Sequence, residues 1–124
     1  MLLRESIVVV TDNTGATVAK VVGIPWSNKK QALLCDIVNV SIQKATPASS
    51  LKAWQVCKAV IVRTRKEIRR PDGTYVRFGD NAVVILDIDA KGEIKPKGKR
   101  VAGPVAKELR VNFKSITNIA EEVI

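Results

Sequence analysis

The chain has 124 residues and a mass of 13.5 kDa, with 21 Lys plus Arg against 12 Asp plus Glu, a net charge of +9 and a pI of about 9.9. That length suits one domain able to bury a core without staples, and 46% apolar residues exclude a disordered basic tail. A folded body with surplus positive charge calls for a polyanion, and nucleic acid is the commonest in a cell. The chain has no histidine, which removes the commonest general base and the commonest metal ligand. Cys35 and Cys57 stand 22 positions apart without a neighbouring thiol, which fits neither a zinc module nor a redox pair, so both are expected as buried reduced thiols. No apolar run approaches the ~18 residues of a membrane span. The start, MLLRESIVVV, reads as a first strand and not as a secretory signal.

In chain order, short β-rich runs alternate with turn residues, an all-β signature. Residues 7–10 form the first run and the turn Asp12-Asn13-Thr14-Gly15 follows. A second run spans 16–24, ended by Pro25, and a polar loop at 26–35 carries Lys29 and Lys30. In the third run, 37–43, Val38, Val40 and Ile42 face one way. Residues 46–50 are a loop, and 56–65 is the clearest long strand. Pro71-Asp72-Gly73 marks a hairpin, 74–78 returns, and 82–88 is apolar on both faces as a central strand would be. Residues 89–100 read as a charged, glycine-rich loop. Pro104 suits a helix start, giving a short helix over 105–110, and Ser115 could cap a second over about 116–122. Five or six strands in so small a chain imply a closed or nearly closed barrel, because closure removes sticky edges. We expect one domain over 1–124: a barrel over about 1–103 that includes a basic ribbon at 58–78, then a helical part over 104–124.

Charge is concentrated on that ribbon. Residues 58–77 hold seven basic groups (Lys58, Arg63, Arg65, Lys66, Arg69, Arg70, Arg77) and two acidic ones. Alternation places Arg63 with Arg65, and Tyr75 with Arg77. Arginine forks bind phosphate oxygens in pairs, and like charges this close repel unless an anion neutralises them. A second, lysine-rich cluster runs from Lys91 to Arg100 and includes Lys97 and Lys99. Few aromatics argue for recognition of shape and backbone; a single-strand reader would need stacking platforms. Only Trp26, Trp54 and Tyr75 could serve, and for Trp54, near Lys52, packing is the favoured expectation. The alternative reading is a free oligonucleotide-binding barrel. A metal-dependent nuclease using Asp87 and Asp89 is a more distant rival, since no further carboxylates support that pair. Neither a phosphate-cradling glycine loop nor a catalytic triad can be assembled, so no enzyme, no cofactor and no metal site is expected.

The strings Thr11-Asp12-Asn13-Thr14-Gly15-Ala16, Ala59-Val60-Ile61-Val62-Arg63-Thr64, Arg69-Arg70-Pro71-Asp72-Gly73, Val76-Arg77-Phe78-Gly79-Asp80-Asn81-Ala82 and Gly103-Pro104-Val105-Ala106-Lys107-Glu108-Leu109-Arg110 occur in this order. Together they resemble the universal large-subunit ribosomal protein L-fourteen family, in its bacterial and organellar branch. The resemblance implies a mainly β fold: a small five-stranded β-barrel with a projecting β-ribbon and two short C-terminal helices. It implies a structural role in translation, binding large-subunit rRNA near the intersubunit face. Implied partners are neighbouring proteins of the L-nineteen and L-three types, small-subunit rRNA across a bridge, and a ribosome-silencing factor. RNA contact is carried onto Lys44, Lys58, Arg63, Arg65, Lys66, Arg69, Arg70, Arg77, Lys91 and Lys97. Intersubunit or partner contact is carried onto Lys99, Arg100, Lys107, Arg110 and Lys114. The chain departs from the family pattern where Cys35 and Trp54 replace expected turn glycines, which favours an organellar, mitochondrial ribosome over a bacterial one.

Overall fold

The barrel follows from strands whose two faces differ. In a computed structural model, which describes residues 2–3, 5–25, 31–47, 49, 51–88 and 90–124, Val38, Val40 and Ile42 are fully buried on β3 (Ile37–Ala45). On the other face Ile37, Asn39 and Gln43 stay partly open, as alternation requires, while Ser41 is covered. Strands β1 (Ile7–Val10), β2 (Ala16–Gly23), β3 and β4 (Val56–Arg63) pair antiparallel in succession, and β4 pairs with β7 (Ala82–Ile88). The parallel pairing of β7 with β1 closes five strands into a barrel. Strand β8 (Ile94–Pro96) continues along β7 beyond the segment that β1 occupies. The Asp12 carboxylate extends that closure, accepting from the Ile85 N–H at 2.9 Å.

Two apolar clusters explain why β4 and β7 are hydrophobic on both faces. Ala59, Ile61, Val83 and Ile85 point into the barrel with Val8, Val21, Val40 and Ile42. Val60, Val62, Ala82 and Val84 point outward, against Val101, Val105, Leu109, Phe113 and Ile116. The C-terminal segment is thus seated on the barrel wall by buried aliphatic side chains, each worth about 1.5–3 kcal/mol when removed from water.

That segment departs from the expected pair of helices. Pro104 lies inside strand β9 (Val101–Val105), which pairs in parallel with β10 (Ala120–Val123) across an irregular register. Between them are a 3-10 helix, Lys107–Arg110, and one α-helix, α1 (Lys114–Ile119). Ser115 is inside α1 and caps nothing; Phe113 holds the cap position without a side-chain hydrogen bond. Residues 120–123 leave the helical path because backbone pairing with β9 satisfies their polar groups.

One turn design recurs at the entry to β1, β3 and β4. Turns close from Leu3 to Ser6, Leu33 to Asp36 and Lys52 to Gln55 through backbone bonds of 3.1, 3.1 and 3.2 Å. In each, the fourth residue's side chain accepts the first residue's N–H: Ser6 Oγ, Asp36 Oδ2 and Gln55 Oε1. The third residue is left-handed, with φ of 70° at Glu5, 69° at Cys35 and 68° at Trp54. The third and fourth residues together face one partner: Val21, Ile61 and Ile42 respectively. This is the bulge that glycine ordinarily opens. The residues just before these turns, Leu2, Ala32 and Leu51, are all buried in the barrel core.

Candidate nucleic-acid interface

The ribbon leaves the barrel at the end of β4 and returns into β7. Its paired part is short: β5 (Ile68–Arg69) against β6 (Tyr75–Val76). The Asp72 carboxylate builds the tip, accepting from the Thr74 N–H at 3.0 Å and its hydroxyl at 2.6 Å; these bonds, hydroxyl first, hold its pKa below the usual value. Alternation then sorts the side chains: Arg69, Tyr75 and Arg77 are exposed, while Ile68, Val76 and Phe78 are half-buried.

Two of the arginines expected to contact RNA are turned inward. A register shift between Ile61 and Arg63 sets Arg63 opposite Ala82, so it does not share a face with Arg65. Arg63 is 8% exposed. It donates to Asp80 through Nε (2.9 Å) and Nη2 (3.3 Å), and through Nη1 to the carbonyls of Ala102 (3.0 Å) and Pro104 (3.1 Å). The guanidinium passes over Gly103, where a Cβ would stand 2.6 Å from Nη1, and that close approach explains the glycine. Arg70 donates from Nε to Glu108 Oε1 at 2.7 Å and from Nη2 to the Ile124 backbone oxygen at 2.6 Å. The ribbon is therefore stapled to the 3-10 helix at its outer end and to β9 at its base.

Beyond the end of β4 the remaining ribbon cations, Arg65, Lys66, Arg69 and Arg77, are exposed. Arg65 is aimed by Nε donation to the Gly79 carbonyl (2.9 Å), and its N–H is held by Asn81 Oδ1 (2.9 Å). Lys66 sits 3.7 Å from Glu67, a loose solvent-exposed ion pair. Arg69 and Arg77 flank Tyr75. Elsewhere Lys44, Lys91 and Lys97 are exposed, and Lys58 is half-buried on β4 opposite Asn39.

A second basic surface lies at the C-terminal end. Asn13 Oδ1 accepts from the N–H groups of Lys99 (2.8 Å) and Arg100 (3.3 Å), which ties their loop to the turn after β1. Lys107, Arg110 and Lys114 are exposed on the 3-10 helix and the start of α1.

Trp54 does not pack; it is 74% exposed. Asp87 is exposed, Asp89 lies outside the described residues, and no metal-binding group of carboxylates or thiols occurs among the described residues. Trp26, Lys29 and Lys30 also lie outside them. Both cysteines are free and only half-buried. Burial, then the charges of Glu108 and Asp36, push the Cys35 thiol up to about 11. No helix among the described residues is long and apolar enough to cross a membrane.

A closed barrel that carries a clasped ribbon with exposed arginines has the form of a binding protein. The family model for ribosomal protein L14p/L23e matches residues 1–124. Among relatives, the large ribosomal subunit protein uL14 of Aquifex aeolicus (strain VF5) and that of Aquifex pyrophilus are each 44% identical over 125 residues, covering 100% of both chains. The chain belongs to the ribosomal protein L14p/L23e family: it is a structural, non-enzymatic component of the large ribosomal subunit. Both of these relatives are bacterial and lend no support to the organellar expectation.

Proposed function

We propose that the chain binds large-subunit rRNA through the open side of its ribbon, with Arg65, Lys66, Arg69 and Arg77 on phosphates and Tyr75 among them. The observation that carries this is the division of labour among the arginines. Arg63 and Arg70 are consumed internally and fix the ribbon's shape, while Arg65, Lys66, Arg69 and Arg77 keep their side chains exposed. Preset cations bind folded phosphate at lower ordering cost. Lys44, Lys58, Lys91 and Lys97 extend the contact beyond the ribbon. The surface of Lys99, Arg100, Lys107, Arg110 and Lys114 faces the subunit interface. There it meets small-subunit rRNA, neighbouring proteins of the L-nineteen and L-three types, and a ribosome-silencing factor.

The test is incorporation. The triple variant Arg65→Glu, Arg69→Glu, Arg77→Glu is expressed as a tagged copy beside the native one, and subunits are sedimented in low magnesium. The tagged wild type travels with the large subunit and the variant stays at the top of the gradient. Equal incorporation of both overturns the reading.

A further inference from the structure

Two of the three left-handed turn residues, Glu5 and Trp54, border one groove on the outer wall of the barrel. Its floor is made by neighbouring strands: Lys20 and Val22 from β2, Ser41 and Gln43 from β3. Lys20 and Ser41 are directly paired across the two strands. The Gln43 amide reaches back to Ser41 at 3.4 Å, a long contact that a better partner would readily replace.

Trp54 is the anomaly here. It is 74% exposed, and it occupies a φ of 68° at a bulge position where glycine is the unstrained choice. A large exposed indole held in a costly conformation gives the fold nothing, so its use lies outside the chain. The geometry points to this groove as a pocket for one unpaired base of large-subunit rRNA, stacked on the Trp54 ring. Gln43 and Ser41 meet the base edge, and Lys20 meets the adjoining phosphate.

The lining decides the class of occupant. An amide, a hydroxyl, an ammonium and the Glu5 carboxylate offer both donors and acceptors, which suits a base edge. A bare phosphate would be repelled by Glu5, and an apolar protein segment would leave these polar groups unpaired. The chain's charge of +9 draws a polyanion to this wall as to the ribbon. The inference rests on the rRNA-binding reading above.

The experiment measures affinity of the purified full chain for in vitro transcribed large-subunit rRNA, for wild type, Trp54→Gly, Trp54→Phe and the ribbon triple reversal. Glycine relieves the left-handed turn, so loss of binding in Trp54→Gly cannot be laid to misfolding; a thermal melt checks this. The expected result is a loss of about 5- to 150-fold in Trp54→Gly, the range for one base stacked on one aromatic ring, with binding largely restored in Trp54→Phe. That loss changes little with salt, unlike the loss in the ribbon variant. In reconstituted subunits, ultraviolet crosslinking places a nucleotide adduct on Trp54. Unchanged affinity in Trp54→Gly beside lost affinity in the ribbon variant overturns the pocket and leaves the ribbon reading standing. Unchanged affinity in both overturns both readings. A crosslink from Trp54 to protein assigns the groove to a protein neighbour and overturns the pocket.

Discussion

Arg63 grips Asp80 with two parallel bonds, Nε to Oδ1 at 2.9 Å and Nη2 to Oδ2 at 3.3 Å, and so joins the end of β4 to the turn that precedes β7. Its remaining terminal nitrogen bonds two carbonyls of β9. One side chain thus ties the ribbon's two roots to the C-terminal sheet. Arg63→Ala takes the guanidinium donors from Asp80 and from both carbonyls, although the Thr11 hydroxyl still serves the Ala102 carbonyl at 2.6 Å. Because the Asp80 side chain is 39% exposed, the cost falls short of a fully buried pair, at about 2–4 kcal/mol. Arg63→Lys recovers little, since an ammonium cannot reproduce the planar fork. Urea unfolding of both variants measures this; a midpoint for Arg63→Ala equal to wild type would show the clasp to be idle.

The repeated turn makes a graded prediction. A non-glycine residue in the left-handed region costs roughly 1–2 kcal/mol, and glycine gives back about 0.5–1 kcal/mol through its greater unfolded entropy. Trp54 and Glu5 are exposed and lose little packing, so Trp54→Gly and Glu5→Gly each stabilise by about 0.5–1 kcal/mol. Cys35 is half-buried, and losing its side chain cancels the gain, leaving Cys35→Gly near neutral. The order of the three unfolding midpoints is the readout, and destabilisation by Trp54→Gly would contradict the strain argument.

These turns also mark where the sequence stops being legible. The barrel strands could be read because alternation in 37–43 and double-sided apolarity in 82–88 have only one good burial solution. The turns before β1, β3 and β4 could not be read from their own residues, because the left-handed positions hold Glu, Cys and Trp in place of the glycine that signals them; only the family resemblance marked Cys35 and Trp54 as turn positions, and Glu5 went unmarked. The β9–β10 pair was hidden by Gly103-Pro104, which reads as a breaker followed by a helix start, whereas the paired residues of its parallel partner lie 18 or 19 positions further on. The inward turn of Arg63 depends on a register shift between β4 and β7, a pairing between distant segments that alternation along one strand cannot reveal. The signal that could have exposed it is the acid at Asp80, which the guanidinium grips, with the glycine at Gly103, over which it passes.

The Arg70–Glu108 contact makes part of the stability pH-dependent. Burial alone would raise the Glu108 carboxyl, but hydrogen bonding and charge from Arg70, with its own backbone bond, outweigh that and hold it below the usual 4.5. With the folded value depressed, the contribution is complete above about pH 4.5 and is lost as pH falls through the folded value. Glu108→Gln is therefore less stable than wild type at pH 7, and the gap narrows on acidification below that value. Parallel urea melts from pH 7 to pH 3 test it; a constant gap would assign the effect to packing.

Glu108 also bears on Cys35. Burial is the larger cause of that thiol's rise from 9.0 to about 11, and the negative charge of Glu108 comes next. At pH 8.5 Cys35 is almost wholly protonated and alkylates with iodoacetamide more slowly than a free cysteine. Glu108→Gln removes one cause and speeds it. The protonated thiol's contribution to stability is present below pH 9.0 and is lost as pH rises through about 11. Alkylation at the rate of free cysteine in the folded chain would refute the protected environment.

The split between clasping and exposed arginines separates two kinds of loss in RNA binding. Each phosphate contact removed lowers the slope of log affinity against log salt by about 0.7–0.9, through the counterions it no longer releases. Replacing Arg65, Arg69 and Arg77 together by Gln should reduce the slope by roughly 2–3 while leaving the unfolding midpoint close to wild type, because all three side chains are exposed. Replacing Arg70 by Gln should do the reverse: the melt shifts down, since the side chain is 11% exposed and bonds Glu108, but the slope for the folded fraction holds. Filter binding across a salt series, read beside urea melts of the same preparations, distinguishes the two. An equal fall in slope for Arg70→Gln would mean that RNA opens the clasp on binding, and the ribbon would then be shaped by its ligand and not before it.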